Sequence, residues 1–496
     1  MDFIATGDLG SNSFRLTISK NMDGQYQTVD SIKDMIHFAA GLDKNNFLDD
    51  VSQKKALQCL QKFGERLRGF EEKQVRVVAT NTFRVAKNIN SFMSQAQQAL
   101  GFPIEIISGH EEARLIYTGV LHITPFNNKK ALIVDIGGGS TEFIVGNDLQ
   151  PEITESLNIG CVTYSKNFFD TDNITAKHFN NAIKSARSEI QKIVKKIKES
   201  RWNLSIGSSG TAKTISGLYR LNYPNKEAFD YDFLIYLKNQ IIKYGSVEKV
   251  KFRDIKPTRM RVFTGGLALM IAIFEEIKIK SMQVTDAGLR DGVLYDFIGR
   301  QLDQDLRDET VENFQNRYLV NKRQAENVQQ LALAFFDRLD KSDPIEQSLS
   351  QWKHFITWAS KLHEIGLFIS HTGYHKHSSY IIQNADMSGF SSKDQYITAL
   401  IILGHKGNLK KVQEYLTSKE LWYSTIALRL ATIFCRARNG ITIPENISIR
   451  LDERNKNIIL KIEKSWINKN PLTASVLEKE SNYWKLITYD FVIKLI

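Results

Sequence analysis

The stretch that most restricts this chain is Asp135-Ile136-Gly137-Gly138-Gly139-Ser140-Thr141-Glu142. Ala131 to Val134 and Ile136 read as a buried strand that runs into three glycines and a hydroxyl pair, and Phe143-Ile144-Val145 resumes the strand pattern at once. The spacing predicts a β-hairpin with a glycine tip. Glycine permits positive φ and lets several N–H groups converge on one point with no side chain between them, a device that cradles phosphate. The same order recurs at Asp8-Leu9-Gly10-Ser11-Asn12-Ser13, between Phe3-Ile4-Ala5 and Phe14-Arg15-Leu16-Thr17-Ile18. Two copies of strand, Asp, Gly-rich turn and strand predict a duplicated α/β architecture.

The rest of the first 300 residues repeats that order. A helix is expected over 52–70, where Ala56, Leu57, Leu60, Phe63 and Leu67 keep helical spacing, then a buried strand at Val75 to Ala79. A helix at Ser91 to Leu100, a third central strand at Ile104 to Ile107 and a helix at Glu111 to Val120, capped by Ser108-Gly109, close a first half. Pro125 to Asn128 reads as a loop. The second half has its hairpin at Asp135, a long amphipathic helix from Ala176 to Ser200, and a strand at Leu204 to Ile206. That strand runs into Gly207-Ser208-Ser209-Gly210-Thr211, where a strand end, a small-residue turn and a helix start together suit an anion. A helix through Val262 to Phe274, a strand near Met282 to Val284 and a helix from Gly288 finish the half.

From about Gln301 helical spacing takes over: Ala325, Val328, Leu331, Ala332, Phe335, Phe336 and Leu339, then Trp352, Phe355, Ile356, Ala359 and Leu362. Beyond Arg438, Ile447, Ile449 and Leu451 alternate, as do Ile458, Leu460 and Ile462, and a helix around Ala474 to Ile487 follows. The expected parts are lobe I at 1–124, lobe II at 125–300, a helical domain at 301–438 and a small α+β domain at 439–496.

Composition bounds the setting. With 496 residues and 42% hydrophobic content the chain supports several cores. Cys59, Cys161 and Cys435 are few and form no C-x-x-C pair, which argues against a disulfide framework or thiolate metal site and for a reducing, cytoplasmic setting. Met1-Asp2-Phe3-Ile4 opens no signal-peptide pattern, and the apolar run from Val262 to Phe274 falls short of the roughly 20 residues that span a bilayer. Net charge is +11, with basic runs at Lys192 to Arg201 and at Lys249, Lys251, Arg253, Lys256, Arg259 and Arg261. Solvated helix faces explain most such runs, and the remainder favours encounters with polyanions.

The duplicated strand and glycine turn resembles the actin, heat-shock ATPase and sugar-kinase superfamily, with ribonuclease H-like lobes. Five motifs narrow the likeness: Asp8 to Leu16, Ile107-Ser108-Gly109-His110-Glu111-Glu112-Ala113-Arg114-Leu115, Asp135 to Glu142, Gly207 to Thr211, and Leu289-Arg290-Asp291-Gly292-Val293-Leu294-Tyr295. In this order they resemble the exopolyphosphatase and guanosine pentaphosphate phosphohydrolase family. The resemblance implies a hydrolase of terminal phosphoanhydride bonds that uses a divalent metal, Mg²⁺ or Mn²⁺, with water as nucleophile. It further implies Glu112 as catalytic base and Arg84 as a phosphate clamp. Phosphoryl transfer asks for charge neutralisation, in-line geometry and a base. Asn12, Ser13, Gly138, Gly139, Ser140, Thr141 and Gly210 are the expected phosphate-binding positions. Asp8, Asp135 and Glu142 are the expected metal carboxylates, with Glu142 also a candidate for orienting water.

The helical domain resembles the HD phosphohydrolase fold, but His363-Glu364 stands where that fold needs a His-Asp pair. His354, His363, His371, His375, His377 and His405 raise the question of a second metal site, against which structural packing is the simpler reading. The leading function is an exopolyphosphatase, because the Asp135 turn and His371 to Tyr380 look closer to that branch. Hydrolysis of guanosine pentaphosphate is second, an actin-fold kinase or ATPase third, and a non-catalytic polyanion binder last. The expected partners are inorganic polyphosphate or guanosine pentaphosphate and a second copy of the chain. No nucleic acid is expected, and a peripheral place at the inner face of the cell membrane stays open.

Overall fold

The computed structural model describes residues 3–22, 25–124, 126, 128–148, 150–171, 173–224, 226–246, 249, 252, 255, 257–301, 305–339, 349–416, 418–438, 444, 446–452 and 456–496. Pro125 and Asn127 of the expected loop, the basic residues Lys251, Arg253 and Lys256, and the expected boundary after Arg438 lie outside them. The chain forms two compact units, Met1–Gln304 and Asp305–Ile496.

The first unit contains the duplication. In its first half, β1 (Phe3–Leu9), β2 (Ser13–Met22) and β3 (Gln25–Met35) form an antiparallel meander. Helix α1 (Asp50–Arg66) leads to β4 (Val75–Ala79), which runs parallel to β1. Helices α2 (Asn81–Val85) and α3 (Ile89–Leu100) precede β5 (Glu105–Ile106), giving the order β3-β2-β1-β4-β5. The third strand, expected to be central, is a two-residue edge strand, since only Glu105 and Ile106 pair with β4. Phe14, Phe38, Phe83 and Phe92 meet edge-on or tilted in this half's core, where such ring pairs stabilise beyond their buried area.

After α4 (Gly109–Ile123) the pattern repeats. A second meander consists of β6 (Ala131–Ile136), β7 (Thr141–Gly146) and β8 (Pro151–Leu157). Helices α5 (Cys161–Phe168) and α6 (Ala176–Glu199) then lead to β9 (Leu204–Ser208), parallel to β6. Helix α7 (Ser209–Asn222), β10 (Phe229–Asp230), α8 (Tyr231–Tyr244), α9 (Pro257–Ile277), β11 (Ser281–Val284) and α10 (Leu289–Gln301) complete the half. Its strand order is β10-β11-β9-β6-β7-β8. Helix α9 is buried in the second half's core, and no helix among the described residues is long and apolar enough to cross a membrane.

Two helices trade halves. Helix α4 packs on β7 and β8, whereas α10 packs on β1 and β4. They cross backbone to backbone, because a Cβ on Gly292 would overlap the Leu115 carbonyl and one on Gly119 the Gly288 carbonyl. Beside the crossing, Asp296 of α10 binds Arg76 of β4 and Arg114 of α4, both at 2.5 Å, and Arg300 at 3.0 Å.

The second unit is α11 (Leu306–Arg317), α12 (Lys322–Arg338), α13 (Leu349–Leu362), α14 (Tyr374–Asn384), α15 (Ser392–Gly404), α16 (Lys410–Gln413) and α17 (Lys419–Phe434). A sheet of β12 (Ser448–Asp452), β13 (Asn457–Ile462) and β14 (Asp490–Leu495) follows, with α18 (Lys464–Lys469) and α19 (Pro471–Lys485) between its last two strands. The sequence suggests separate helical and α+β domains here. In the structure one apolar core runs from Val311 to Phe491, Leu339 bridges to Ile449, and Arg429 of α17 pairs with Glu480 of α19. The sheet closes the bundle's core and has none of its own.

Candidate active site

The tips of the two hairpins, the start of α4, the start of α7 and the start of α10 surround one cleft of about 330 Å³. Register explains the aspartates: Asp8 faces Arg15 across β1 and β2, and Asp135 faces Glu142 across β6 and β7, each one step before the turn. The tight backbone of Gly137 to Ser140 is closed by the Gly137 N–H donating to the Ser140 carbonyl. Gly138 packs closely on the facing turn, where a Cβ would press on Asn12 and Ser11 at 3.1 Å. The two turns therefore stand against each other. Glu112 enters from the first turn of α4, whose start is capped by Ser108 Oγ accepting from the Glu111 N–H at 3.1 Å.

Of the expected site residues, Asp8, Asn12, Ser13, Glu112, Asp135, Gly138, Ser140 and Gly210 line the cleft. Four others do not. Thr141 is fully buried and its hydroxyl donates to the Ile159 carbonyl, so it supports the hairpin. Gly139 packs against the Asn81 side chain. Glu142 shares the sheet face of Asp135, but it is 1% exposed and accepts from Ser156 Oγ at 2.8 Å. The Arg84 guanidinium donates to Glu112 Oε2 at 2.9 Å and to the Ile107 carbonyl at 2.8 Å; it braces the carboxylate where the sequence suggests a phosphate clamp.

The structure adds Arg15, Lys33, Lys213, Arg259 and Arg290 to the lining. Arg15 follows Ser13 on the same face of β2, and Lys33 stands opposite Arg15 in β3. Lys213 lies one helical turn after Ser209. The Arg259 guanidinium occupies the space beside Gly210 where a side chain would stand. Ser209 holds a left-handed φ of 73° with its hydroxyl buried and unpartnered, strain of the kind that collects at ligand sites.

The carboxylates are crowded and desolvated. Burial, then Glu112 and Asp135, push Asp8 up to about 7 against the pull of Arg15 and Lys33. Burial, with Glu112, pushes Asp135 up to about 6. Burial also raises Glu112, with Arg84 opposing, and raises Glu142 well above the carboxylate range. Asp8 Oδ1 and Asn12 Oδ1 are buried without a hydrogen-bond partner. Two carboxylates short of counter-charge, one with an orphaned oxygen, fit a divalent cation that keeps water and phosphate among its ligands, as Mg²⁺ does. Asp8 and Asp135 would hold it. Glu142 is engaged elsewhere, and among the described residues no three His, Cys, Asp or Glu side chains are grouped to hold a metal by themselves.

Fold and family match together define a phosphoanhydride hydrolase on the actin-like ATPase fold. Residues 17–301 match the Ppx/GppA phosphatase family and residues 306–481 match its domain III. The chain belongs to the Ppx/GppA phosphatase family. It is 36% identical over 489 residues, 97% of each chain, to a guanosine-5'-triphosphate,3'-diphosphate pyrophosphatase of Pseudoalteromonas translucida. Among solved structures it resembles an exopolyphosphatase of Cytophaga hutchinsonii at 23% identity and a TM-score of 0.55, covering 60% of this chain and 98% of that one. A Ppx/GppA family member from Aquifex aeolicus, at 24% identity and a TM-score of 0.50, covers the same shares. These two likenesses concern the fold alone.

Proposed function

We propose that this hydrolase is an exopolyphosphatase that removes the terminal phosphate of inorganic polyphosphate. The observation that carries this reading is the lining: five cationic side chains and no aromatic one among the described residues of the cleft. That suits a chain of phosphates better than a nucleoside, which would be gripped by stacking.

The terminal phosphate sits between the turns at Asn12-Ser13 and at Gly138 and Ser140, where backbone N–H groups and hydroxyls bind its oxygens. Arg15, Lys33, Lys213, Arg259 and Arg290 neutralise the following phosphates. Glu112 takes a proton from water as the water oxygen attacks the terminal phosphorus, and the bond to the bridging oxygen breaks to give orthophosphate and a chain shorter by one. Arg84 keeps the Glu112 carboxylate aimed and opposes the upward push of burial on it. A divalent cation held by Asp8 and Asp135 would supply further charge neutralisation.

A second reading, hydrolysis of guanosine pentaphosphate, is favoured by the name of the Pseudoalteromonas relative. Initial rates of phosphate release from long-chain polyphosphate and from guanosine pentaphosphate, with Mg²⁺ and one enzyme preparation, separate the two. Higher kcat/KM on polyphosphate is expected, and the reverse order installs the second reading.

A further inference from the structure

The histidines singled out by the sequence belong to the second unit, and the cleft leaves them unused. Three of the six come together: the rings of His363 and His405 lie 5.4 Å apart and those of His375 and His405 6.1 Å apart. His363 Nδ1 contacts the Ser360 carbonyl, and His405 contacts the Ile402 carbonyl and the Tyr374 hydroxyl. His375 differs, being 8% exposed with an Nδ1 that has no partner.

The surrounding charge decides what such a cluster takes. Glu364 is held by Arg438, and Glu480 accepts two hydrogen bonds from Arg429, so the nearby carboxylates are spent. The charged groups acting on His375 are Lys411, Lys406, Lys376 and Arg429, all cationic. A metal ion would meet this repulsion, and among the described residues the carboxylate beside the cluster, Glu364, lies 4.0 Å from His363 Nε2 and is already paired with Arg438. An anion meets donors. Gly407, held at a φ of 74°, carries no side chain, and Lys411 Nζ and His375 Nε2 converge on the point its Cβ would occupy, at 3.8 Å and 3.9 Å. Lys411 donates to the Lys406 carbonyl and Arg429 to the Gly404 and Gly407 carbonyls, which fixes the loop carrying both lysines. Lys406 closes the rim, 4.3 Å above the Tyr374 ring.

We propose that His375 and Lys411, converging at Gly407, form a second anion site, for free orthophosphate, in the unit that lacks the catalytic cleft. The unrelieved charge agrees: burial and neighbouring cations push Lys411 down to about 7 and His375 down to about 3, a penalty that a phosphate dianion would offset. The burial of His375 and His405 favours a small ligand over a polymer. Orthophosphate is also what this hydrolase releases, whichever substrate it prefers.

The test is a titration of the full chain, labelled with ring-¹³C histidine, with orthophosphate; the His375 signal is assigned by its loss in His375→Gln. Its resonances should move saturably. Lys411→Met should weaken that response by at least about tenfold and Lys411→Arg by much less, while turnover at low phosphate is unchanged in both. A folded wild type whose His375 signals ignore orthophosphate overturns the proposal, as does an equal response in Lys411→Met. Tripolyphosphate acting at lower concentration than orthophosphate, or Zn²⁺ moving the signals where phosphate does not, would also overturn it. Should Lys411→Met not fold, the wild type and Lys411→Arg titrations still decide.

Discussion

Glu112 and Arg84 form the pair on which the chemistry turns, and their geometry separates two roles for the arginine. A guanidinium spent on Glu112 and on the Ile107 carbonyl acts on the base. Arg84→Met should therefore lower kcat by about tenfold or more and leave KM within about twofold. A raised KM with kcat intact would return Arg84 to the phosphate clamp that the sequence suggests. Glu112, Asp8 and Asp135 were legible because a motif or a glycine turn marks each position. The cleft's cations were harder to see. Arg15 and Lys33 meet only through the register of β2 on β3, and Arg259 reaches Gly210 across helices whose packing no local pattern encodes. Thr141 misled for the opposite reason: it sits in the motif but faces the Ile159 carbonyl.

The helices α4 and α10 carry the site between the halves, and two substitutions probe them. Gly292→Ala would drive a methyl into the Leu115 carbonyl and should destabilise by about 1–3 kcal/mol, with a loss of activity as the start of α4 shifts. A variant with wild-type stability and turnover would show that the crossing is slack. At Asp296, burial alone would raise the pKa, but Arg114, Arg76 and Arg300 outweigh it and hold the group well below the carboxylate range. The stability this contributes is full above the unfolded-state value near 4 and is lost as pH falls through the folded one. Asp296→Asn should cost about 3–5 kcal/mol near pH 7, and its difference from wild type should shrink as the solution is acidified below about pH 4. A pH-independent difference in denaturant midpoints would contradict the assignment. Most of these elements follow from periodicity, whereas β5 was overread because Ile104 and Ile107 look like strand but only two residues pair.

At the scale of the molecule, every residue assigned to catalysis lies in the unit Met1–Gln304, and the second unit supplies nearly two hundred more residues. The sequence made the change of character near Gln301 plain. The single core of the second unit was hidden, because the packing of β12 to β14 on helices far away in the chain leaves no local signal. If long polyphosphate gains affinity from cations beyond the cleft, Met1–Gln304 produced alone and shown to be folded should cut short chains. On a gel it should turn long chains into a shrinking ladder, whereas the full chain leaves uncut polymer beside free phosphate; identical patterns would remove the second unit from substrate binding. The central claim is that this cleft hydrolyses a terminal phosphoanhydride bond with Glu112 as base. Steady-state phosphate release by Glu112→Gln, measured beside wild type on polyphosphate and guanosine pentaphosphate, tests it most directly. The account predicts a fall in kcat of at least about a hundredfold on either substrate with KM little changed, and turnover near the wild-type rate would contradict it.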